Sequence, residues 1–211
     1  MPFYKTAYLK NNPFVIDRLM ALRQGLYEQI PTRNLRDSLL LASWNIRDFD
    51  RKAYGFRGEE PLHYIAEIIS HFDLIAIQEV NKDLTALDKV MNLLGGDWKY
   101  IFSDTTEGDP GNDERLAFVY DARKVRFAGL AGEIVIPPLK VDGENVPAKQ
   151  IVRTPYLAGF SAGWTNFILT TVHILYGSSS STDPERKAEI VSLAKFLAKR
   201  ANDPTSWSRN I

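Results

Sequence analysis

The chain has 211 residues, 45% of them hydrophobic, which predicts one globular domain or part of a larger one. Its 26 basic and 26 acidic side chains cancel, which excludes a global basic field for nucleic acid, so any phosphate-binding surface must be a local patch. The absence of cysteine excludes disulfides and thiolate nucleophiles, and since the sequence shows neither a bilayer-spanning apolar run nor a signal-peptide pattern, we expect a soluble, cytoplasmic protein.

The first predicted element is a helix over residues 13–29, with Asn12 suited to cap it and Pro13 suited to its first turn. A buried stripe is predicted for the apolar residues at helical spacing, which are Ile16, Leu19, Leu22, Leu26 and Ile30. Because this helix precedes the first strand, we expect residues 1–37 to form an appended helical segment. Residues 38–211 are then the main domain, on which that segment packs.

The main domain is predicted to be rich in strands. Short apolar runs bounded by turn residues predict strands at 39–44, 74–78, 99–104, 115–121, 127–138, 154–163 and 164–177. Helices are predicted at 60–71, at 83–94, and from Pro184 onward after a serine-rich loop, with Ile190, Leu193 and Leu197 as the buried stripe of the last helix. Strands outnumber helices, so the predicted fold class is α/β or α+β with a substantial sheet.

Polar side chains mark the ends of several of these strands. Asn45 follows the first strand, Glu79 ends the second, Glu114 precedes another, and His173 is predicted to lie inside the most apolar strand. Each has an ordinary reading on its own: a turn residue, a surface carboxylate, or a hydrogen-bonded core histidine. Together they indicate a site, because polar groups gathered at strand ends are how α/β enzymes assemble their active sites.

Five segments in succession, WNIRDF, DLIAIQEV, NDERLAFVYD, RTPY and TTVHILYG, resemble the endonuclease/exonuclease/phosphatase family, and most of all its deoxyribonuclease I branch. The resemblance runs from Leu39 to Ala201. It implies a four-layer α/β/β/α sandwich. It also implies a phosphoesterase or nuclease that hydrolyses phosphodiester bonds, of nucleic acid or of another substrate, with Mg²⁺ (or Mn²⁺).

The resemblance also implies roles for individual residues. Glu79 matches the family's metal carboxylate, with Asn45 beside it to orient the phosphate or a metal-bound water. A bound cation would offset the cost of burying that charge. His173 matches the histidine close to the scissile phosphate, and Glu114 matches the carboxylate that hydrogen-bonds it and fixes its tautomer.

Two arginines, Arg153 in RTPY and Arg47 in WNIRDF, match substrate-side residues that bind phosphate oxygens, although a surface ion pair is the ordinary reading of either. The segment after QEV departs from the pattern. The deoxyribonuclease branch usually has an arginine there that reaches into the DNA minor groove, whereas this chain has Asn81 and Lys82. A preference for double-stranded DNA is therefore left open.

The family's later Asp-x-Asn and Asp-His motifs do not occur in these 211 residues. His63 and His71 come too early to replace them and are expected at the surface of the first core helix. We therefore expect an N-terminal portion of a longer enzyme that is inactive by itself. We also expect one six-stranded sheet with an uncovered face, which would make the fold marginally stable and prone to self-association.

Two other functions remain open. The same site could act as a phosphatase or phosphodiesterase on a phosphorylated lipid or inositol, which the zero net charge slightly favours over long nucleic acids. Alternatively, the chain could be a non-catalytic interaction module whose exposed sheet face recruits a partner, since a fold can persist where its chemistry is lost.

Overall fold

The computed structural model describes residues 2, 4, 7–34, 36, 38–49, 57–105 and 114–203. Its elements, in chain order, are α1 Ala7–Asn11, α2 Pro13–Gln29, β1 Leu41–Phe49, α3 Glu59–Ser70, β2 Leu74–Asn81, α4 Thr85–Leu94, β3 Trp98–Phe102, β4 Glu114–Asp121, β5 Val125–Glu133, β6 Leu139–Val141, β7 Glu144–Val146, β8 Tyr156–Ala162, β9 Thr165–Thr171 and α5 Pro184–Ala201. Among the described residues, no helix combines the length and apolar content that crossing a membrane requires.

The first sheet has four strands in the order β1-β2-β4-β3, with β1 and β2 parallel and the other pairs antiparallel. Side chains alternate between the two faces of a strand. Ile75 and Ile77 of β2 therefore point to the same side, where they join a buried cluster with Leu87 of α4 and Ile65 of α3. Helices α3 and α4 form the outer layer on this face.

The opposite face of the first sheet packs against a second sheet of three strands in the order β5-β8-β9. Aromatic rings fill the space between the sheets. The Phe118 and Tyr120 rings of β4 each lie 5.5 Å from the Phe160 ring of β8, in edge-to-face geometry. Leu74 and Ala76 of β2, which alternate with the helix-facing residues, belong to the same buried cluster.

Helix α5 covers the outer side of the second sheet. Its Leu193 is buried in a cluster with Ile134, Ile136 and Ile151, and Leu157 of β8 packs against the same cluster. The layers are therefore helices, sheet, sheet and helix, and the predicted α/β sandwich is confirmed. The expectation of one six-stranded sheet with an uncovered face is wrong, because the strands divide between two sheets whose inner faces cover each other.

Helices α1 and α2 pack on α3. Val15 and Leu19 are fully buried in a small cluster against Tyr64, whereas Ile16, predicted to be buried, has 43% of its surface exposed. Val15 rather than Ile16 therefore lies against α3, whereas Leu19 is buried as predicted. The boundary proposed at residue 37 between this segment and the main domain stays a prediction.

The prediction that His63 and His71 lie at the surface is wrong, because the N-terminal helices bury both side chains. The Tyr8 ring stacks on the His63 ring at a centroid distance of 5.6 Å. His71 Nε2 lies 3.3 Å from Glu67 Oε1, and Arg23 donates to both oxygens of the Glu67 carboxylate at 2.7 and 3.0 Å. Covering by a preceding helix cannot be read from the α3 sequence alone.

Three further predictions about element ends or faces are wrong. Strand β1 continues past Asn45 to Phe49, because its pairing with β2 resumes after an irregular stretch. Strand β9 ends at Thr171, so His173 follows the strand instead of lying inside it. On α5, Ile190 is 50% exposed, because the inward face at that turn is taken by the neighbouring Glu189.

Candidate active site

The sheet topology brings four distant residues to one edge of the molecule. Strands β1 and β2 are parallel and Asn45 pairs with Gln78, which places Asn45 beside Glu79 near the carboxyl end of β2. Strand β4 runs in the opposite direction and begins there with Glu114, which pairs with Asn81. Strand β9 of the second sheet ends nearby, two residues before His173. The predicted residues therefore meet because of strand direction.

The Glu79 carboxylate is held at both oxygens. Asn45 Nδ2 donates to Oε1 at 2.6 Å, and the backbone N–H of Asp48 donates to Oε2 at 2.8 Å. Burial raises the pKa of Glu79, but these hydrogen bonds and the nearby His173 and Arg153 outweigh it and hold the pKa below its usual value. Glu79 is therefore a carboxylate, not a carboxylic acid, at neutral pH.

The backbone around this carboxylate is strained. Arg47, Asp48 and Glu79 have φ angles of 50°, 45° and 62°, in the left-handed region that side chains other than glycine rarely adopt. The pairing of β2 with β4 is also irregular, between Ile77 and Val80. Such conformations cost about 1–3 kcal/mol each and cluster at functional sites, where a bulge aims a side chain.

The strained stretch of β1 after Asn45 is held by contacts from two sides. Asn45 Oδ1 accepts from the backbone N–H of Arg47 at 2.9 Å. The Arg57 guanidinium donates to three successive carbonyls, those of Ile46 and Arg47 at 2.8 Å and that of Asp48 at 2.9 Å. These contacts hold Asp48 where its N–H meets Glu79. Arg57 was not predicted to take part, and nothing in its local sequence marks it.

His173 lies between two carboxylates. Its Nδ1 is 3.0 Å from Glu114 Oε2, and its Nε2 is 3.4 Å from Glu79 Oε1. The Glu114 side chain is only 7% exposed and the His173 side chain 20%. A carboxylate at Nδ1 favours the tautomer with the proton on that nitrogen, which leaves Nε2 available for proton exchange toward Glu79.

The two predicted arginines differ in their placement. Arg153 Nε lies 3.4 Å from Glu114 Oε2 and is buried, with no hydrogen bond within the described part of the chain. Arg47 is exposed in the irregular part of β1, where its backbone N–H donates to Asn45 and its carbonyl accepts from Arg57. Arg153 therefore belongs to the converging group, and a phosphate-binding role for the Arg47 side chain stays a prediction.

Besides Arg57, sequence reasoning missed two residues of this region, Asp48 and Gln78. Asp48 brings a carboxylate oxygen within 4.8 Å of oxygens of Glu79 and Glu114, which makes a group of three acids that could hold a cation. It lies within WNIRDF, so it could have been considered. Gln78, which precedes Glu79 in β2, is buried and donates to Thr171 Oγ1 of the second sheet at 2.7 Å.

Comparison with protein families and curated proteins identifies a relative but no family model. No protein-family model matches the chain. A curated relative, a deoxyribonuclease of Thioalkalivibrio sp. (strain K90mix), is 29% identical over 172 residues, which are 79% of this chain and 42% of that protein. The chain thus spans less than half the length of this relative.

Solved structures share the architecture at low sequence identity. A mannosyl-6-phosphatase of Bacteroides thetaiotaomicron VPI-5482 has a TM-score of 0.52 at 17% identity, over 80% of this chain and 62% of that one. D. rerio TDP2, complexed with a single-strand DNA product, has a TM-score of 0.51 at 16% identity, over 80% of this chain and 57% of that one.

An endonuclease/exonuclease/phosphatase family protein from Bacteroides thetaiotaomicron has a TM-score of 0.51 at 18% identity, over 81% of this chain and 61% of that one. The chain therefore spans about three-fifths of the length of each of these structures. The predicted resemblance is confirmed in the architecture: this chain has the fold of the endonuclease/exonuclease/phosphatase family.

Proposed function

We propose that the protein containing this chain is a metal-dependent phosphoesterase that hydrolyses phosphodiester bonds of nucleic acid. The observation that carries the proposal is His173, whose two ring nitrogens lie 3.0 and 3.4 Å from the carboxylates of Glu114 and Glu79. A curated relative named deoxyribonuclease and the structural similarity to TDP2 holding a single-strand DNA product support nucleic acid as the substrate class.

The acidic group fits a hard divalent cation, Mg²⁺ or Mn²⁺. Such ions prefer oxygen ligands and retain several waters, so one or two carboxylates are enough. Glu79, ionised and fixed in orientation, would be the main ligand, and Asp48 lies close enough to assist it. Glu114 is less suited, because it already contacts His173 and Arg153. When bound, the cation would neutralise charge on the phosphate oxygens.

His173 and Glu114 would handle the proton. With Glu114 holding Nδ1–H, Nε2 can take a proton from the attacking water or give one to the leaving oxygen at the phosphate. Arg153, beside Glu114, would bind a non-bridging phosphate oxygen and orient the ester. Asn45 would hold Glu79 in place through its side-chain amide and leave the carboxylate directed into the site.

Hydrolysis of labelled single-stranded and double-stranded DNA by the product of the complete reading frame tests the proposal. We expect cleavage with Mg²⁺ or Mn²⁺, none with a chelator, and a loss of about 10³-fold or more in kcat for both Glu79→Gln and His173→Ala. Glu185→Gln, on the exposed side of α5, is the matched control and should retain full activity. Unchanged activity in both site variants would remove these residues from the mechanism.

A second candidate is a phosphatase or phosphodiesterase on a phosphorylated lipid, inositol or sugar. The zero net charge and the structural similarity to a mannosyl-6-phosphatase favour it. A salt titration distinguishes the two, since binding to a nucleic-acid backbone falls steeply with ionic strength and binding of a single phosphate group does not. The 211-residue chain should be assayed beside the complete protein, because we expect it to be inactive alone.

A further inference from the structure

Two segments without helix or strand carry Arg153 and His173 to the site. Residues 147–155 connect β7 to β8, and residues 172–183 connect β9 to α5. Their backbone N–H groups have no strand neighbours to bond, and buried N–H groups need a partner. The positions of Arg153 and His173 must therefore be fixed by contacts outside the sheets.

Glu189 of α5 supplies one such contact to each segment. The backbone N–H of Val152 donates to its Oε1 at 2.8 Å, and the backbone N–H of Leu175 donates to its Oε2 at 2.9 Å. Glu189 is only 5% exposed. One buried carboxylate thus joins the residue before Arg153 to the residue two positions after His173.

The surroundings of Glu189 are apolar and therefore unfavourable for a charged side chain. Leu193, one helical turn further on, lies in an apolar cluster with Ile151 and Ile136. A carboxylate in apolar surroundings is unfavourable unless hydrogen bonds meet it. An apolar residue would avoid the cost of burying a charge, but it would leave the N–H groups of Val152 and Leu175 without this acceptor. It also could not hold the two backbone segments at a fixed distance from each other.

The side chains of Arg153 and His173 also meet at Glu114. His173 Nδ1 and Arg153 Nε approach a single atom, Glu114 Oε2, at 3.0 and 3.4 Å. Glu189 holds the backbones of the same two segments from the side of α5. A small shift of either segment would separate one of the two side chains from Glu114.

We propose that Glu189 is a positioning residue, which sets the distance between the Arg153 and His173 segments so that both side chains reach Glu114. It touches neither substrate nor cation. The catalytic part of this inference rests on the proposed phosphoesterase function, whereas its structural part does not.

Glu189→Gln is the most direct test. Glutamine has the same size, but only one of its two terminal atoms is an acceptor, so its NH₂ group would face the N–H of Val152 or of Leu175. In the complete protein, we expect protection of one of these two amides from hydrogen exchange to fall about 10-fold. We expect kcat to fall about 10- to 100-fold, with little change in metal affinity, because Glu79 is untouched.

Two further variants make the result specific. Glu185→Gln removes the same charge from the same helix, where it pairs with exposed Lys149, and should change neither quantity. Glu189→Asp keeps both acceptor oxygens and should recover part of the lost kcat, which a loss of general stability would not allow.

The outcomes separate this inference from the proposed function. Fast exchange of the Val152 and Leu175 amides in the unsubstituted protein would overturn the inference, even if Glu189→Gln failed to fold. Unchanged exchange and kcat in Glu189→Gln would also overturn it. Absence of phosphoester hydrolysis in the unsubstituted protein, with normal protection of both amides, would instead contradict the proposed function alone.

Discussion

The two ends of the β2–β4 strand pair both carry carboxylates, but these differ in the number of cationic side chains that meet them. At one end, Asp73 and Asp121 are fully buried and meet Arg33 at 2.8 and 2.7 Å. Lys124 approaches Asp73 at 2.7 Å, and Arg123 approaches Asp121 at 2.5 Å. Two acids therefore meet three permanent cations of the chain itself.

At the other end, Glu79 and Glu114 are met by one arginine and one histidine. The backbone there is strained, and Asp48 brings a third carboxylate into the group. The first end is an ion-pair network that ties the N-terminal segment to the sheet. The second end gathers three carboxylates around one arginine and one histidine, which fits the cation-dependent phosphoesterase proposed above.

The largest expected effect is a loss of activity without a large loss of stability, at the end of the strands that carries Glu79. Glu79→Gln should lower kcat by about 10³-fold or more. It should lower the free energy of unfolding by no more than about 1–2 kcal/mol, because the side chain keeps its size and loses only one of its two acceptor atoms. Chemical denaturation and a cleavage assay on the same preparation measure both. A large loss of stability would show that Glu79 acts mainly as a structural residue.

At the other end, we expect a substitution to lower stability and leave kcat unchanged. Asp73→Asn leaves the charges of Arg33 and Lys124 without their carboxylate, so the free energy of unfolding should fall by about 3 kcal/mol. Since the site is at the far end of the strands, kcat of the folded protein should stay near the wild-type value. A substantial drop in kcat at full folding would break the proposed division of labour between the two ends.

A pH titration of stability should sharpen the comparison. Burial raises the pKa of Asp121, but hydrogen bonds from Arg123 and Arg33 outweigh it and lower the pKa to about 2. The ionised form is therefore favoured by folding, and its contribution, at most about 2 kcal/mol, is present above about pH 4 and lost as the pH falls toward 2. Asp121→Asn should flatten this limb of the curve of unfolding free energy against pH.

The smallest effect concerns the N-terminal helix that precedes Arg33. Val15→Ala should lower the free energy of unfolding by about 1.5 kcal/mol, because two buried methyl groups are removed. Ile16→Ala, at the neighbouring exposed position, should change it by less than about 0.5 kcal/mol. Thermal or urea unfolding of the two variants measures this difference. Equal losses of unfolding free energy would support the sequence-based prediction that Ile16 is buried.

The burial of β2 on both faces follows from a local pattern. The alternation of Leu74, Ile75, Ala76 and Ile77, apolar on both faces, predicts a central strand, and the structure covers one face with helices and the other with a sheet. Burial of His63, in contrast, depends on Tyr8, which lies 55 positions earlier in the chain. A helical pattern predicts which residues share a face but not which other segment covers it.

Local patterns in the sequence predicted a strand-rich α/β or α+β fold with polar residues at or near strand ends, which are Asn45, Glu79, Glu114 and His173. The resemblance to the endonuclease/exonuclease/phosphatase family added Arg153 and the four-layer order. The tertiary structure alone decided that these residues meet within hydrogen-bonding reach, that Asp48 joins them, and that Glu189 holds two of their segments from behind. The physical reason is that strand direction and pairing act between residues far apart in the chain, whereas periodicity and turn chemistry report only on near neighbours.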